Sequence, residues 1–278
     1  MPRASDERTV VRGWVIAAHP GPTLAVTAIV TTLGWAIGWA GSALFLLAGA
    51  VLLGQLSVGW SNDAHDAADD ARARRLSKPT VQGIVTPRAL WIAAVAAASA
   101  SAVLSVLAAG WIGAGWHLLA IATAWAYNVR VSRTWLSWLP YAIAFGAVAP
   151  FLTFGRDGTW PPVWLPLVLA LVGVAAHLTN ALRDLAVDQR AEMSGAVVLL
   201  GPTRTHRLIV SLLTAASLIL ALALAARHGL LALGPLATLV LALAAIRATA
   251  RPEVMFRWIV ALALADVAFL ATALRLGS

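Results

Sequence analysis

Charged residues in this chain fall between long apolar runs rather than within them. No Asp, Glu, Lys or Arg occurs between Arg12 and Asp63, or between Arg88 and Arg130. At about 20 residues per crossing, each gap holds two membrane helices. Shorter uncharged runs, Arg133 to Arg156, Asp157 to Arg183, Arg207 to Arg227 and Arg227 to Arg247, hold one each, and Arg257 to Arg275 is interrupted only by Asp266. The pattern predicts about nine transmembrane helices. Turn-like segments at Ala40-Gly41-Ser42 and from Gly110 to Trp116 divide the double-length runs, and their tryptophans suit the membrane interface. The runs are continuous rather than alternating, which excludes a membrane β-barrel.

Composition agrees with a polytopic protein. Sixty per cent of residues are apolar and only 12% are charged, against roughly 25% in soluble domains. No soluble domain or linker stands out, so residues 1–278 are expected to form a single transmembrane domain. The charged segment from Met1 to Arg12 lacks a following short apolar core and cleavage site and is not read as a removable signal peptide. Without cysteine, disulfides and thiolate chemistry are excluded.

The net charge of +8 is explained by topology rather than by nucleic acid. With a cytoplasmic N-terminus and nine alternating helices, 17 of the 20 basic residues fall on the cytoplasmic side, leaving only Arg156, Arg227 and Arg275 outside. Positive loops stay inside, so a multi-pass protein with a cytoplasmic N-terminus is expected, in the plasma membrane if the source is bacterial.

Seven of the twelve acids gather at two of these cytoplasmic helix ends. The first cluster places Asn62, Asp66 and Asp70 every four residues, with Asp63 alongside; the second repeats the stripe as Asn180, Asp184 and Asp188, with His177 three residues earlier. Four-residue spacing puts each set on one helix face. Single acids at helix ends commonly mark where a chain leaves the bilayer, but that does not account for two matching stripes on one side. Facing carboxylates repel unless cations intervene, and an all-oxygen donor set suits Mg²⁺, which binds through one or two carboxylates plus substrate phosphates. Zinc is disfavoured, because His65 has no histidine partner at ligand spacing. The site is therefore expected to bind a diphosphate, with Asn62, Asp66, Asp70, Asp184 and Asp188 as metal ligands.

Lys78, the only lysine, and Arg72 follow the first cluster, and Arg183 lies within the second. Each suits phosphate oxygens, although positive-inside placement explains any one of them equally well. A third cytoplasmic segment runs from Tyr127 to Thr134 and includes Arg130 and Arg133; Tyr127 fits an interface role or a contact to diphosphate or carbocation.

These residues resemble the UbiA superfamily of intramembrane prenyltransferases. Asn62-Asp63, Asp66 and Asp70 match its N-D-x-x-D-x-x-x-D pattern, and Asp184 and Asp188 match its D-x-x-x-D. Lys78-Pro79 with Gly83, Tyr127 with its basic loop, and Phe145-Gly146 are supporting matches. The resemblance implies an all-α, nine-helix UbiA-like bundle with a cytoplasmic active-site cap. It also implies Mg²⁺-dependent ionisation of an allylic polyprenyl diphosphate and transfer to an aromatic or lipid acceptor inside a lipid-open cavity. On this basis Asp66, Asp70, Asp184, Asp188 and Tyr127 are the catalytic candidates. Asn62, Asp63, Arg72, Lys78, Arg133, Asn180, Arg183 and His177 are expected to bind substrate.

The chain departs from the family pattern at Arg130 and Arg133, where lysine is frequent, and at Glu192-Met193-Ser194-Gly195-Ala196, where a Gly-x-x-Thr-like run is common. Both positions border the acceptor side, so the acceptor stays open. Three alternatives remain at this level: a membrane terpene cyclase using the same metal site without acceptor, phosphoribosyl transfer to a lipid phosphate, and transport. Transport is disfavoured because transporters place charge near the midplane, whereas only His117, His177 and Asp266 fall within predicted spans.

Overall fold

The computed structural model describes residues 4–190 and 195–248, and beyond these only 254, 257–259, 261, 262, 264–266, 268, 269 and 272. Within those ranges the side chains of 4–6, 184, 186–190, 226–228, 231, 245, 246 and 248 lie outside the description. All regular structure among the described residues is helical: α1 (Ala4–Ala17), α2 (Pro20–Ala36), α3 (Gly41–Arg72), α4 (Pro87–Val129), α5 (Leu139–Gly146), α6 (Val148–Asp157), α7 (Trp164–Arg190), α8 (Ala196–His228) and α9 (Leu233–Ala248). Short 3-10 turns cover Val131–Arg133 and Gly229–Ala232.

Among the described residues, four helices are long and apolar enough to cross a membrane: α3, α4, α7 over Trp164–Arg183 and α8 over Ala196–Ala225. The pair Glu7–Ala17 and Pro20–Ala36, bent by 58°, passes the same test as one broken span. His19 makes that break in the left-handed conformation (φ 51°, ψ 64°), and Pro20 begins α2. Proline cannot donate a backbone hydrogen bond, so it suits the first turn of the new helix.

Helix α4 has 43 residues, roughly 65 Å if straight and about twice a bilayer core of about 30 Å. It does not run straight. Gly110 adopts φ 62° and ψ −178°, and Ser105 Oγ lies 2.7 Å from His117 Nδ1. Twelve residues of unbroken helix would separate those groups by about 18 Å, so the chain reverses at Gly110 and both arms pack on α3. A Cβ at Gly54 of α3 would meet Ser101 Oγ on one arm and His117 Nε2 on the other, each at 3.3 Å. The reversal falls inside the segment the sequence marks as a turn.

Among the described residues the core has three parts. Leu33, Leu47, Phe151, Leu152 and Leu220 form the largest, joining α2, α3, α6 and α8. Leu178, Ile209, Leu213 and Ile259 join α7, α8 and the C-terminal residues. A small third cluster, Ala17, Ala64, Val85 and Leu90, lies under the acid-bearing end of α3. Trp14 and Trp60 extend it edge-to-face at 5.6 Å, and Trp60 Nε1 donates to the Trp14 carbonyl.

Candidate active site at the polar end of the bundle

The first 20 residues of α3, Gly41 to Trp60, carry no charge and suffice for a crossing. The next three turns extend beyond it and hold the acids. Asn62, Asp66 and Asp70 share one face at successive helical turns. Two carboxylates about 6 Å apart on a helix repel by about 3 kcal/mol at an effective dielectric constant of about 20. The following loop supplies the compensating cations.

Arg74, in the left-handed conformation at φ 51°, turns the chain back. Its N–H donates to the Ala71 carbonyl at 3.1 Å, and that of Arg75 to the Asp70 carbonyl at 3.0 Å. This pair of bonds is the Schellman closure of a helix C-terminus. It brings Arg75 Nη1 within 3.3 Å of Asp70 Oδ1. Lys78 Nζ then lies 2.5 Å from Asp63 Oδ1 and 3.9 Å from Asp70 Oδ2.

Asp63 is only 1% exposed. Its Oδ1 accepts from Lys78 and lies 2.8 Å from His19 Nε2 at the break between α1 and α2. One turn earlier, Gly59 permits that approach: a Cβ there would stand 2.7 Å from the Ala18 carbonyl oxygen. Asp63 thus ties together α3, the α1–α2 break and the Lys78 loop, a part the sequence did not assign to it. Asp69 is the other hub, accepting from Arg72 and from Arg133.

Burial and the charge on Asp70 raise the Asp66 carboxyl above its ordinary range. Burial also raises Asp70, outweighing Lys78 and Arg75. At Asp63, burial pushes upward, but the His19 hydrogen bond and the Lys78 charge prevail and hold it low. The Arg133 hydrogen bond lowers Asp69.

The end of α4 joins this region to the second motif. Asn128, 5% exposed, donates through Nδ2 to the Val58 carbonyl at 2.9 Å and to Ser61 Oγ at 3.0 Å. Its Oδ1 accepts from Asn62 Nδ2 at 3.4 Å. Tyr127 packs edge-on against Tyr141 and His177, with ring centroids 5.1 and 5.4 Å away. Tyr141 stacks on His177 at 4.6 Å.

His177, buried in α7, has Nε2 3.2 Å from Ser137 Oγ, while its Nδ1 has no hydrogen-bond partner among the described residues. Ser137 also accepts from the Ala196 N–H at the start of α8. Asn180 is half-buried and Arg183 exposed in the same helix. The side chains of Asp184 and Asp188 lie outside the described residues, although their backbone continues α7.

The residues present fit a hard cation. Asp70 Oδ2 is buried without a hydrogen bond among the described residues. Asn62 Nδ2 donates to Asp66 Oδ2 at 3.3 Å as well as to Asn128, which leaves the amide oxygen as a coordinating atom. Among the described residues no three acid or histidine side chains form a metal site on their own. The first stripe therefore offers the one or two carboxylates that Mg²⁺ takes beside phosphate oxygens. An apolar groove of about 360 Å³, lined by Trp116, Ile143, Pro150 and Trp160, contains none of these acids.

Sequence reasoning missed His19, whose Pro20-Gly21-Pro22 neighbours signalled a break. It also missed Asn128, which carries no periodic signal at all.

Comparison with known proteins shows the family and the fold. The sequence profile described as the UbiA prenyltransferase family matches residues 16–258. The chain is 30% identical over 232 residues to a 1,4-dihydroxy-2-naphthoate octaprenyltransferase of Mycobacterium tuberculosis (strain ATCC 25618 / H37Rv), covering 74% of this chain and 76% of the relative. The fold matches that of a UbiA homologue from Archaeoglobus fulgidus bound to GPP and Mg²⁺, with a TM-score of 0.75, 16% identity and coverage of 95% of this chain and 99% of that one. A UbiA homologue from Aeropyrum pernix K1 gives a TM-score of 0.73 at 16% identity, covering 91% and 98%. The family match, extending from the α1–α2 break past both acidic motifs, makes the chain a prenyltransferase and a member of the UbiA prenyltransferase family.

Proposed function

We propose that this protein transfers a prenyl group from a polyprenyl diphosphate to a hydroxylated aromatic acceptor at the cytoplasmic face of the membrane, with Mg²⁺ as cofactor. The observation that carries the proposal is the Asn62-Asp66-Asp70 stripe at the polar end of a membrane-spanning helix, flanked by Arg75, Lys78 and Arg133. An amphiphile with a diphosphate head and a hydrocarbon tail matches that boundary. The aromatic class is supported by the naphthoate-modifying relative.

In this proposal Mg²⁺ is held by Asn62, Asp66 and Asp70 with Asp184 and Asp188, and supplies Lewis-acid stabilisation of the departing diphosphate. Lys78, Arg72, Arg133 and Arg183 add charge-assisted hydrogen bonds to its oxygens. The allylic C–O bond breaks with its electron pair leaving on the diphosphate. A nucleophilic carbon of the acceptor bonds to the allylic carbon and releases a proton to solvent. Tyr127 presents a ring face able to stabilise the allylic cation, and Asn180 and His177 line the acceptor side. Apolar helices keep water from capturing the cation.

The test is incubation of purified protein with geranyl, farnesyl and longer prenyl diphosphates, with Mg²⁺ or EDTA, with and without 1,4-dihydroxy-2-naphthoate. Mg²⁺-dependent diphosphate release and a prenylated product only with acceptor are expected. Release without acceptor, yielding a cyclic hydrocarbon or alcohol, would establish a cyclase instead.

A further inference from the structure

We propose that Asn128 is a positioning residue that fixes which end of the Asn62 amide is presented to the metal. The inference rests on the metal-dependent function proposed above. An asparagine side chain has one accepting and one donating end of nearly equal shape, so its orientation must be read from its neighbours. For Asn128 the neighbours leave no choice. The Val58 carbonyl, 2.9 Å away, only accepts, so the group facing it is the NH₂. The Ser61 hydroxyl donates to the same carbonyl at 3.0 Å and therefore accepts from Asn128 at 3.0 Å.

The Asn128 oxygen must then face Asn62, and it calls for a donor there. Asp66 Oδ2, an acceptor when ionised, makes the same demand from the other side. Both amide protons of Asn62 are committed, and its carbonyl oxygen is left for a cation. A flipped Asn62 would offer the metal an NH₂, which cannot coordinate it. The donors run in one direction, from Ser61 and Asn128 into Val58 and from Asn62 into Asn128, so α4 and the backbone of α3 together set the polarity of a ligand 66 residues away in sequence.

A carboxylate at position 62 has an oxygen at both ends and needs no such orientation. The experiment therefore compares wild type, Asn128→Leu, Asn62→Asp and the double variant, each as full-length protein in detergent. Binding of Mn²⁺ is followed by electron paramagnetic resonance, and helix content by circular dichroism. Asn128→Leu is expected to weaken Mn²⁺ binding about tenfold, in the range for groups that orient metal ligands. In the Asn62→Asp background the same change is expected to have less than a twofold effect. Asn128→Ser, which leaves room for water beside Val58, is expected to reproduce the loss and replaces the leucine variant if that one does not fold. Unchanged binding in the Asn128 variants, or an equal loss in the Asn62→Asp background, would overturn the inference. Wild-type protein that binds no Mn²⁺ would instead overturn the metal-dependent function on which it rests.

Discussion

Tyr127 and Asn128 are neighbours in sequence but face different halves of the protein: Asn128 bonds to Ser61 and Asn62 of α3, while Tyr127 packs on His177 of α7. The end of α4 is therefore the bracket that joins the two motif-bearing helices, and Arg133, four residues further on, reaches Asp69 of the first.

Asp66→Ala and Asp184→Ala are expected to lower Mg²⁺-dependent diphosphate release at least about 100-fold, more than loss of a group that merely orients a ligand. Helix content should be retained, since both residues lie at helix ends rather than in the apolar clusters. Activity equal to wild type in either variant, with normal expression, would remove that residue from the metal site.

The raised carboxyls of Asp66 and Asp70 set a pH dependence. Their metal-free forms hold a proton at a higher pH than ordinary aspartates do, and a metal binds the deprotonated group. As pH falls, protons displace metal sooner. The Mg²⁺ concentration for half-maximal turnover is expected to rise as pH falls, with the rise beginning above the ordinary aspartate value of about 4. A profile that stays flat down to that value contradicts the assignment.

Among the described residues, Lys78→Met leaves the buried Asp63 with only His19 as partner. Breaking a buried pair from one side costs about 3 kcal/mol, and His19 keeps the loss at or below that figure. Replacing both groups, as Asp63→Asn with Lys78→Met, should destabilise less than Lys78→Met alone, because no uncompensated charge remains. Thermal unfolding of wild type, Lys78→Met, Asp63→Asn and the double variant decides this; strictly additive losses would mean that the pair is not coupled.

Arg74→Gly should stabilise the protein by about 1 kcal/mol, since a non-glycine residue in the left-handed region carries a penalty of about 1–2 kcal/mol. The opposite change, Gly59→Ala, should destabilise by about 1–3 kcal/mol, because its Cβ would press on the Ala18 backbone rather than on a flexible side chain. Urea or thermal midpoints of the two variants should move in opposite directions.

What the sequence revealed and what it hid have physical reasons. Charge-free runs expose membrane helices because a charge in the bilayer is costly, and the double length of residues 89–129 forecast a reversal that the structure places at Gly110. The Asn62-Asp66-Asp70 stripe was visible because helical period alone aligns it. The partnerships of His19, Asn128 and Asp69 were not, because they join residues 44, 66 and 64 positions apart and depend on how α1, α4 and α3 meet. Lys78 and Arg133 were expected at phosphate; the structure adds that each also holds an aspartate of α3.

The reversal in α4 bears on how the protein enters its membrane. Ser105 donates its proton to the Ser101 carbonyl and so accepts from His117 Nδ1–H. The imidazole, otherwise an expensive group in hydrocarbon, finds this partner within its own hairpin, twelve residues away. Closing so short a loop demands little chain entropy. The two arms can accordingly leave the translocation machinery as one preassembled unit, with this polar group already satisfied before α3 or α6 arrives to cover it.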